Sequence, residues 1–190
     1  MDDCESEWVY PQDHFDYVHG RHLSVAIKDW QKLLERSFAH LKPGGHVEFQ
    51  EILVFPQSDD GTLPDDGVLQ QYYRYMNEAC QMISIDLEIP SKLTQMLRDA
   101  GFVDVKEEVR KIPLGTWPRD RLLKRVGAFQ KANFLEGLSA ISLGPYTRVL
   151  GWSKERLEVW LTEVREAIMD PRTHSYDYMY FVHGKKPAKG

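Results

Sequence analysis

The chain has 190 residues, 42% of them apolar and 28% charged, a balance that suits one domain of ordinary globular composition. An aromatic content of 12% excludes intrinsic disorder, and a net charge of −5 argues against a nucleic-acid surface, which needs clustered Lys and Arg. No apolar run approaches the roughly 20 residues of a membrane-spanning helix, and no signal peptide precedes the polar start Met1-Asp2-Asp3, so a cytoplasmic or nuclear address is expected.

Strand-like and helix-like apolar patterns alternate along the chain, which predicts an α/β domain. Phe15 to His19 reads as a short strand between Asp13 and Gly20. Ser24 is expected to cap a helix to about Leu41, with Trp30, Leu33, Leu34 and Phe38 on its apolar side. Lys42-Pro43-Gly44-Gly45 should stop that helix. His46 to Phe55 is a second strand, and its near-continuous end Ile52-Leu53-Val54-Phe55 suits cover on both faces. Pro56 to Pro64 is a loop, Asp65 or Asp66 starts a helix through Ile83, and Pro90 opens another that Gly101 closes. Phe102 to Ile112 alternates as a half-exposed strand. Arg119 to Leu143 is helical, although Gly127 and Gly137 weaken the pattern. Ser153 caps an amphipathic helix with the inner stripe Leu157, Trp160, Leu161, Val164 and Ile168. Ser175 to His183 is the last strand. Residues 1–185 read as a single domain, and residues 186–190 as a basic tail expected to fray.

The ordered set Asp3-Cys4-Glu5-Ser6-Glu7-Trp8, Phe15-Asp16-Tyr17-Val18-His19-Gly20-Arg21, Asp29-Trp30, Leu41-Lys42-Pro43-Gly44-Gly45 and Glu48-Phe49-Gln50-Glu51 resembles class I S-adenosylmethionine (SAM) methyltransferases. Within them it is most similar to the LaeA-like group of fungal secondary metabolism. The resemblance is good over residues 1–55 and holds in outline over 90–112 and 174–185. It implies a truncated Rossmann-like fold of four strands in the family order 4-5-7-6, with the last strand antiparallel. It further implies that Asp3 binds the adenine amino group, that Cys4 offers a nearby backbone N–H, and that His19 and Arg21 lie near the reacting methyl.

The family's glycine-rich turn and its ribose-binding acidic residue have no counterpart among these residues. Glycines there let the backbone approach the cofactor at a helix start, and neither Gly44-Gly45, before a strand, nor Gly61, in an acidic loop, can stand in. No cofactor is therefore expected for the isolated chain, and SAM only where a partner completes the pocket. Strand 4, central in the family, would become an edge bearing Phe15, Tyr17 and Val18, which invites a homodimer or a heteromeric partner.

Acid–base chemistry falls to His19, at a strand's C-terminal end, and to Glu51, whose odd separation from Glu48 sends the two to opposite faces. Each has a bland alternative, backbone contacts for the histidine and ion pairing for the glutamate. Arg21 can clamp an anion or pair with Asp29 or Glu51, and His22 stands beside it. Tyr72, Tyr75 and Met76 share one helix face where the resemblance implies a substrate lid. They suit a flat apolar molecule, although for each residue taken singly core packing is the leading alternative, and Trp117 can complete the cavity. His14, His19 and His22 lack a companion ligand run, so no metal is expected. Cys80 reads as a small buried residue.

Three functions remain open at this level. One is a methyltransferase-fold protein that cyclises or isomerises an apolar intermediate without methyl transfer. Another is a part of a true methyltransferase completed by a partner chain. The third is a non-catalytic regulatory partner.

Overall fold

The computed structural model describes residues 3–188, so the last two positions of the expected tail lie outside the described residues. In chain order the elements are β1 (Phe15–Arg21), α1 (Trp30–His40), β2 (Leu41–Gln57), α2 (Val68–Met82), α3 (Ile89–Asp99), β3 (Val103–Pro113), α4 (Arg121–Leu143), a π-helical turn (Gly144–Val149), α5 (Lys154–Met169) and β4 (Tyr176–Lys185). The sheet order is β1-β2-β4-β3, with β1 and β2 parallel. Backbone pairing of Lys186 with Gly44 and Gly45, and of Leu114 with Ser175, shows β4 running antiparallel to both neighbours. This is the order and direction that the resemblance implies.

The chain forms two compact units, residues 1–53, 85–110 and 179–190 in the first and residues 54–84 and 111–178 in the second. β2, β3 and β4 each pass from one unit into the other.

In the first unit, α1 begins later than Ser24 suggested. Asp29 is the cap, its carboxylate accepting the Lys32 N–H at 2.9 Å. Glu5 adds a second acceptor at that helix start, taking the N–H groups of Lys28 and Asp29 at 3.0 Å each. Lys42 to Gly45 does not precede the strand but lies within it. Phe15 pairs with Leu41 and Tyr17 with His46, so the extra residues form a bulge in which Gly44 adopts φ +81°. Trp30, Leu33 and Leu34 of α1 and Leu93 and Leu97 of α3 pack with Val47, Phe49 and Val182 into one apolar core. Gly20 is required here, because a Cβ would stand 2.5 Å from the Phe49 ring. The odd-numbered residues Val47, Phe49 and Glu51 face this core, while His46 is exposed and Glu48 and Gln50 half-buried. Ile52 to Phe55 are half-buried instead of covered on both faces. The tail is ordered further than expected: β4 reaches Lys185, and the Lys186 ammonium bonds the Asp13 carboxylate at 2.7 Å.

The second unit packs α2, α5 and the π turn around Tyr72, Tyr146, Leu138, Leu157 and Leu161, all buried. Ser153 caps α5 as the sequence predicts, accepting the Arg156 N–H at 3.1 Å. Pro145, without an N–H, ends the regular ladder of α4 and gives the wide turn in which the Leu150 N–H reaches the Pro145 carbonyl at 3.0 Å.

The two helix glycines have opposite meanings. A Cβ on Gly127 would lie 1.9 Å from the Gly115 carbonyl oxygen, whereas one on Gly137 would meet nothing within 4 Å. Gly127→Ala is expected to destabilise by about 2–3 kcal/mol through backbone displacement. Gly137→Ala should stabilise by about 0.5–1 kcal/mol through helix propensity. Urea unfolding midpoints of the two variants check the difference in sign.

Candidate functional site

β1 ends on Arg21, and the loop that follows begins with His22 and is shaped by Glu51. That carboxylate is fully buried. It accepts the Leu23 N–H at 2.8 and 2.9 Å, the Ser24 N–H at 3.0 Å and the Ser24 hydroxyl at 2.7 Å. Ser24, expected as a helix cap, is a donor to this carboxylate instead. The His22 N–H donates to the Gln50 carbonyl at 3.0 Å, and His22 sits at φ +53°, in the left-handed region that strains a residue with a Cβ. Burial, and then the positive charge of Arg21, lower the His22 pKa, while Glu51 acts weakly in the other direction. The imidazole is thus held in its neutral, proton-accepting form near neutral pH.

His19 and Glu51 do not meet. Glu51 faces the core, whereas His19 is exposed and its ring stacks on Tyr17, with centroids 6.1 Å apart. Tyr17 in turn donates its hydroxyl to Glu48 at 2.7 Å. Burial and the Glu48 carboxylate raise the Tyr17 hydroxyl to about 12, and hydrogen bonds from Gln50 and Tyr17 lower Glu48. Arg21 is exposed, and its charge falls on His22.

Beside β1 lies a groove of about 500 Å³, lined by Trp8, Phe15 and Val18 together with Asp3 and Cys4. The segment that forms it is fastened by its own bonds. The Trp8 indole donates to the Cys4 carbonyl at 3.0 Å, and the Asp3 carboxylate accepts the Glu5 N–H at 2.9 Å. Asp3 and Cys4 therefore stand together in the lining of an apolar groove.

The aromatic residues of α2 are packed more tightly than a substrate lid requires. Tyr72 is fully buried, its hydroxyl within 3.0 Å of Ser142 Oγ, and its carbonyl accepts the Tyr146 hydroxyl at 2.8 Å. Tyr75 lies edge-on to Trp152 at 5.2 Å, and Met76 is buried. These three fill the core of the second unit. Trp117 donates its indole N–H to the Ser175 carbonyl at 3.0 Å and stacks on His174 at 5.3 Å.

Around Trp117 the structure gathers residues that the sequence did not single out. His174 lies 2.6 Å from the Asp60 carboxylate, and its N–H donates to the Thr62 hydroxyl at 2.8 Å. Tyr176 donates to Asp59 at 2.7 Å while Lys111 pairs with the same carboxylate at 2.5 Å. Bonds from His174, Thr62 and Ser58 hold Asp60 well below the usual carboxylate range, and burial and its neighbours push the Tyr176 hydroxyl up to about 12.

The next residue, Asp177, is 3% exposed, and its Oδ1 has no hydrogen-bond partner. Desolvation raises its pKa to about 7 against the opposing hydrogen bond from the Gln130 side chain. Its only signal in the sequence is a lone acid inside the otherwise apolar and aromatic run Tyr176 to Val182.

A family profile described as "Methyltransferase domain" matches residues 2–107. The chain belongs to the methyltransferase domain family. It is 36% identical to Methyltransferase pytC of Aspergillus terreus over 98% of its length and 57% of that protein's. To Secondary metabolism regulator LAE1 of Cochliobolus heterostrophus it is 32% identical over 98% of its length and 62% of the regulator's. To Secondary metabolism regulator laeA of Aspergillus flavus it is 28% identical, again over 98% of this chain but 50% of that one. These similarities agree with the LaeA-like resemblance, and the chain spans only half to about three-fifths of these relatives.

Among solved structures, a phosphoethanolamine N-methyltransferase of Haemonchus contortus aligns with TM-score 0.51 at 22% identity, covering 98% of this chain and 36% of that one. The cyclase SpnF aligns with TM-score 0.50 at 17% identity, covering 99% of this chain and 56% of its own. Both share the fold. Among the described residues, no helix is long and apolar enough to cross a membrane, and no group of three or more His, Cys, Asp or Glu side chains has the geometry to hold a metal ion.

Proposed function

We propose that this chain is the acceptor-side part of a small-molecule methyltransferase of fungal secondary metabolism, active in methyl transfer only with a nucleotide-cradling segment from outside these residues. The groove beside β1 carries this reading. Trp8, Phe15 and Val18 offer apolar surface for a flat ring, and the Asp3 carboxylate in the same lining is an acceptor for an exocyclic amino group. The adenine end of SAM fits that apolar surface and acceptor, and its ribose and methionine ends would be held by residues outside those described. When bound, the cofactor supplies an electrophilic methyl group on a positively charged sulfur.

The remaining chemistry belongs to this chain. Neutral His22 is the group able to take a proton from a hydroxyl or amine acceptor, a role His19 shares by position at the same strand end. Glu51 acts as a positioning residue, because its oxygens are already committed to Leu23 and Ser24. β1, at the sheet edge with Tyr17 52% exposed, is the surface along which a second copy or a partner chain would add.

A second reading, turnover of an apolar intermediate without methyl transfer, draws on the buried carboxyl of Asp177, which needs no cofactor. Calorimetry with S-adenosylhomocysteine separates the two. The lone chain is expected to show no micromolar binding, and a mixture with the part of pytC that this chain does not cover should restore it. Micromolar binding by the chain alone as a monomer would overturn the first reading.

A further inference from the structure

We infer that two copies of this chain dock through the second unit, the start of α4 in one copy seating in a groove beside the end of α5 in the other. α4 turns Gly127, Leu138 and Ser142 inward. That leaves Leu122, Arg125 and Phe129, at i, i+3 and i+7, on its outer face. Leu122 is 66% exposed and Phe129 72%, an apolar pair sharing one open face, as contact surfaces do. Arg121, Lys124 and Arg125 stand around them, all exposed. No acid occupies the first turn of α4, so these cations sit at the positive end of a helix dipole, which repels them.

The same unit carries the complement. An open groove of about 730 Å³ beside the C-terminal half of α5 is lined by apolar Val68, Ala167 and Met169 and by acidic Glu163 and Glu166. Asp170 and Arg172 line it too, but they pair with each other at 2.7 Å and cancel. Glu166 lies in the last turn of α5, which holds no base, so this acid stands at the negative end of its dipole. Among the described residues, none of the three cations and neither glutamate is in an ion pair. Each helix end thus carries the sign that its own dipole disfavours. The two mismatches offset each other when the end of one helix meets the end of the other across copies.

A second copy is the occupant that satisfies both surfaces at once. Under a two-fold axis the contact is made twice, with each α4 entering the groove of the other copy. An anionic lipid surface suits α4 alone: the chain carries a net charge of −5, and the acidic groove lies on the helix packed against α4. The inference does not rest on the methyltransferase reading, whose groove and β1 edge belong to the first unit.

Sedimentation equilibrium of the full chain at about 50 mM and about 500 mM NaCl tests it. A dimer is expected at low salt, dissociating about tenfold more readily at high salt. Phe129→Ser should weaken it about tenfold or more. Reversing the cations (Arg121→Glu with Arg125→Glu) should give a monomer, and so should reversing the acids (Glu163→Arg with Glu166→Arg). An equimolar mixture of the two reversed proteins should regain the dimer, because opposite charges then face at both contacts. Both reversals supply the sign that each dipole favours, so neither should lower the thermal unfolding midpoint of the chain. A monomer at low salt, a dimer that survives either reversal, or a mixture that stays monomeric would overturn the inference. A mixture that grows beyond the dimer would overturn it as well, since head-to-tail chains lack the two-fold. So would a monomer that binds phosphatidylcholine–phosphatidylserine vesicles through Arg121 and Arg125, which would give α4 to a membrane.

Discussion

Asp177→Asn is expected to stabilise the protein by about 4 kcal/mol at pH 8, shrinking to about 2 kcal/mol at pH 5. The folded state holds this proton up to about pH 7, against an ordinary value of 3.8. Between those two values the folded protein binds more protons than the unfolded chain, so stability falls as pH rises through that window and stays reduced above it. The neutral amide carries no ionisation penalty, and its gain therefore grows with pH. Urea unfolding at pH 5 and pH 8 measures it. A gain independent of pH, or no gain at pH 8, would show that the buried carboxyl does not titrate as its surroundings dictate.

Glu51→Ala should act in the opposite direction, with a loss of about 3–5 kcal/mol. The substitution strands two backbone N–H groups and one hydroxyl that share a buried acceptor. Glu51→Gln keeps one acceptor oxygen but turns an NH2 toward those donors, so it should recover only part of the loss. Hydrogen exchange locates the effect: the amides of Leu23 and Ser24 should lose protection well before those of α5. Uniform loss of protection across the chain would refute a local role for Glu51 in shaping the loop that carries His22.

The order of the sheet was legible because it depends on punctuation and alternation, which the sequence displays openly. Phe15 to His19, the near-continuous apolar run at the end of His46 to Phe55 and the alternating Phe102 to Ile112 each declare a strand, and the family resemblance orders them. The start of α1 was less legible, because Ser24 and Asp29 are equally good caps locally. The choice between them is made by Glu51, which takes the serine hydroxyl.

The candidate site was legible in its edge and obscure in its interior. The structure puts Asp3 and Cys4 on the groove, Arg21 at the end of β1 and His22 in the loop after it. Tyr72, Tyr75 and Met76 show how helical spacing identifies a shared face without saying what covers it; their partners Tyr146 and Trp152 lie some seventy residues further on. Asp177 was hidden for a related reason. A carboxylate in a strand normally faces water, and only the packing of α2 and α4 against β4 makes this one an acid.

β4 is the last of the four strands to leave the ribosome, yet it occupies an interior place in the sheet, between β2 and β3. Until its residues emerge, those two strands have no ladder between them and each exposes an open hydrogen-bonding edge. The sheet therefore closes only after β4 has emerged, and a nascent chain halted before Tyr176 presents two sticky borders to chaperones or to other chains. Ribosome-stalled intermediates of increasing length should remain protease-sensitive until β4 clears the exit tunnel, then become resistant in a single step.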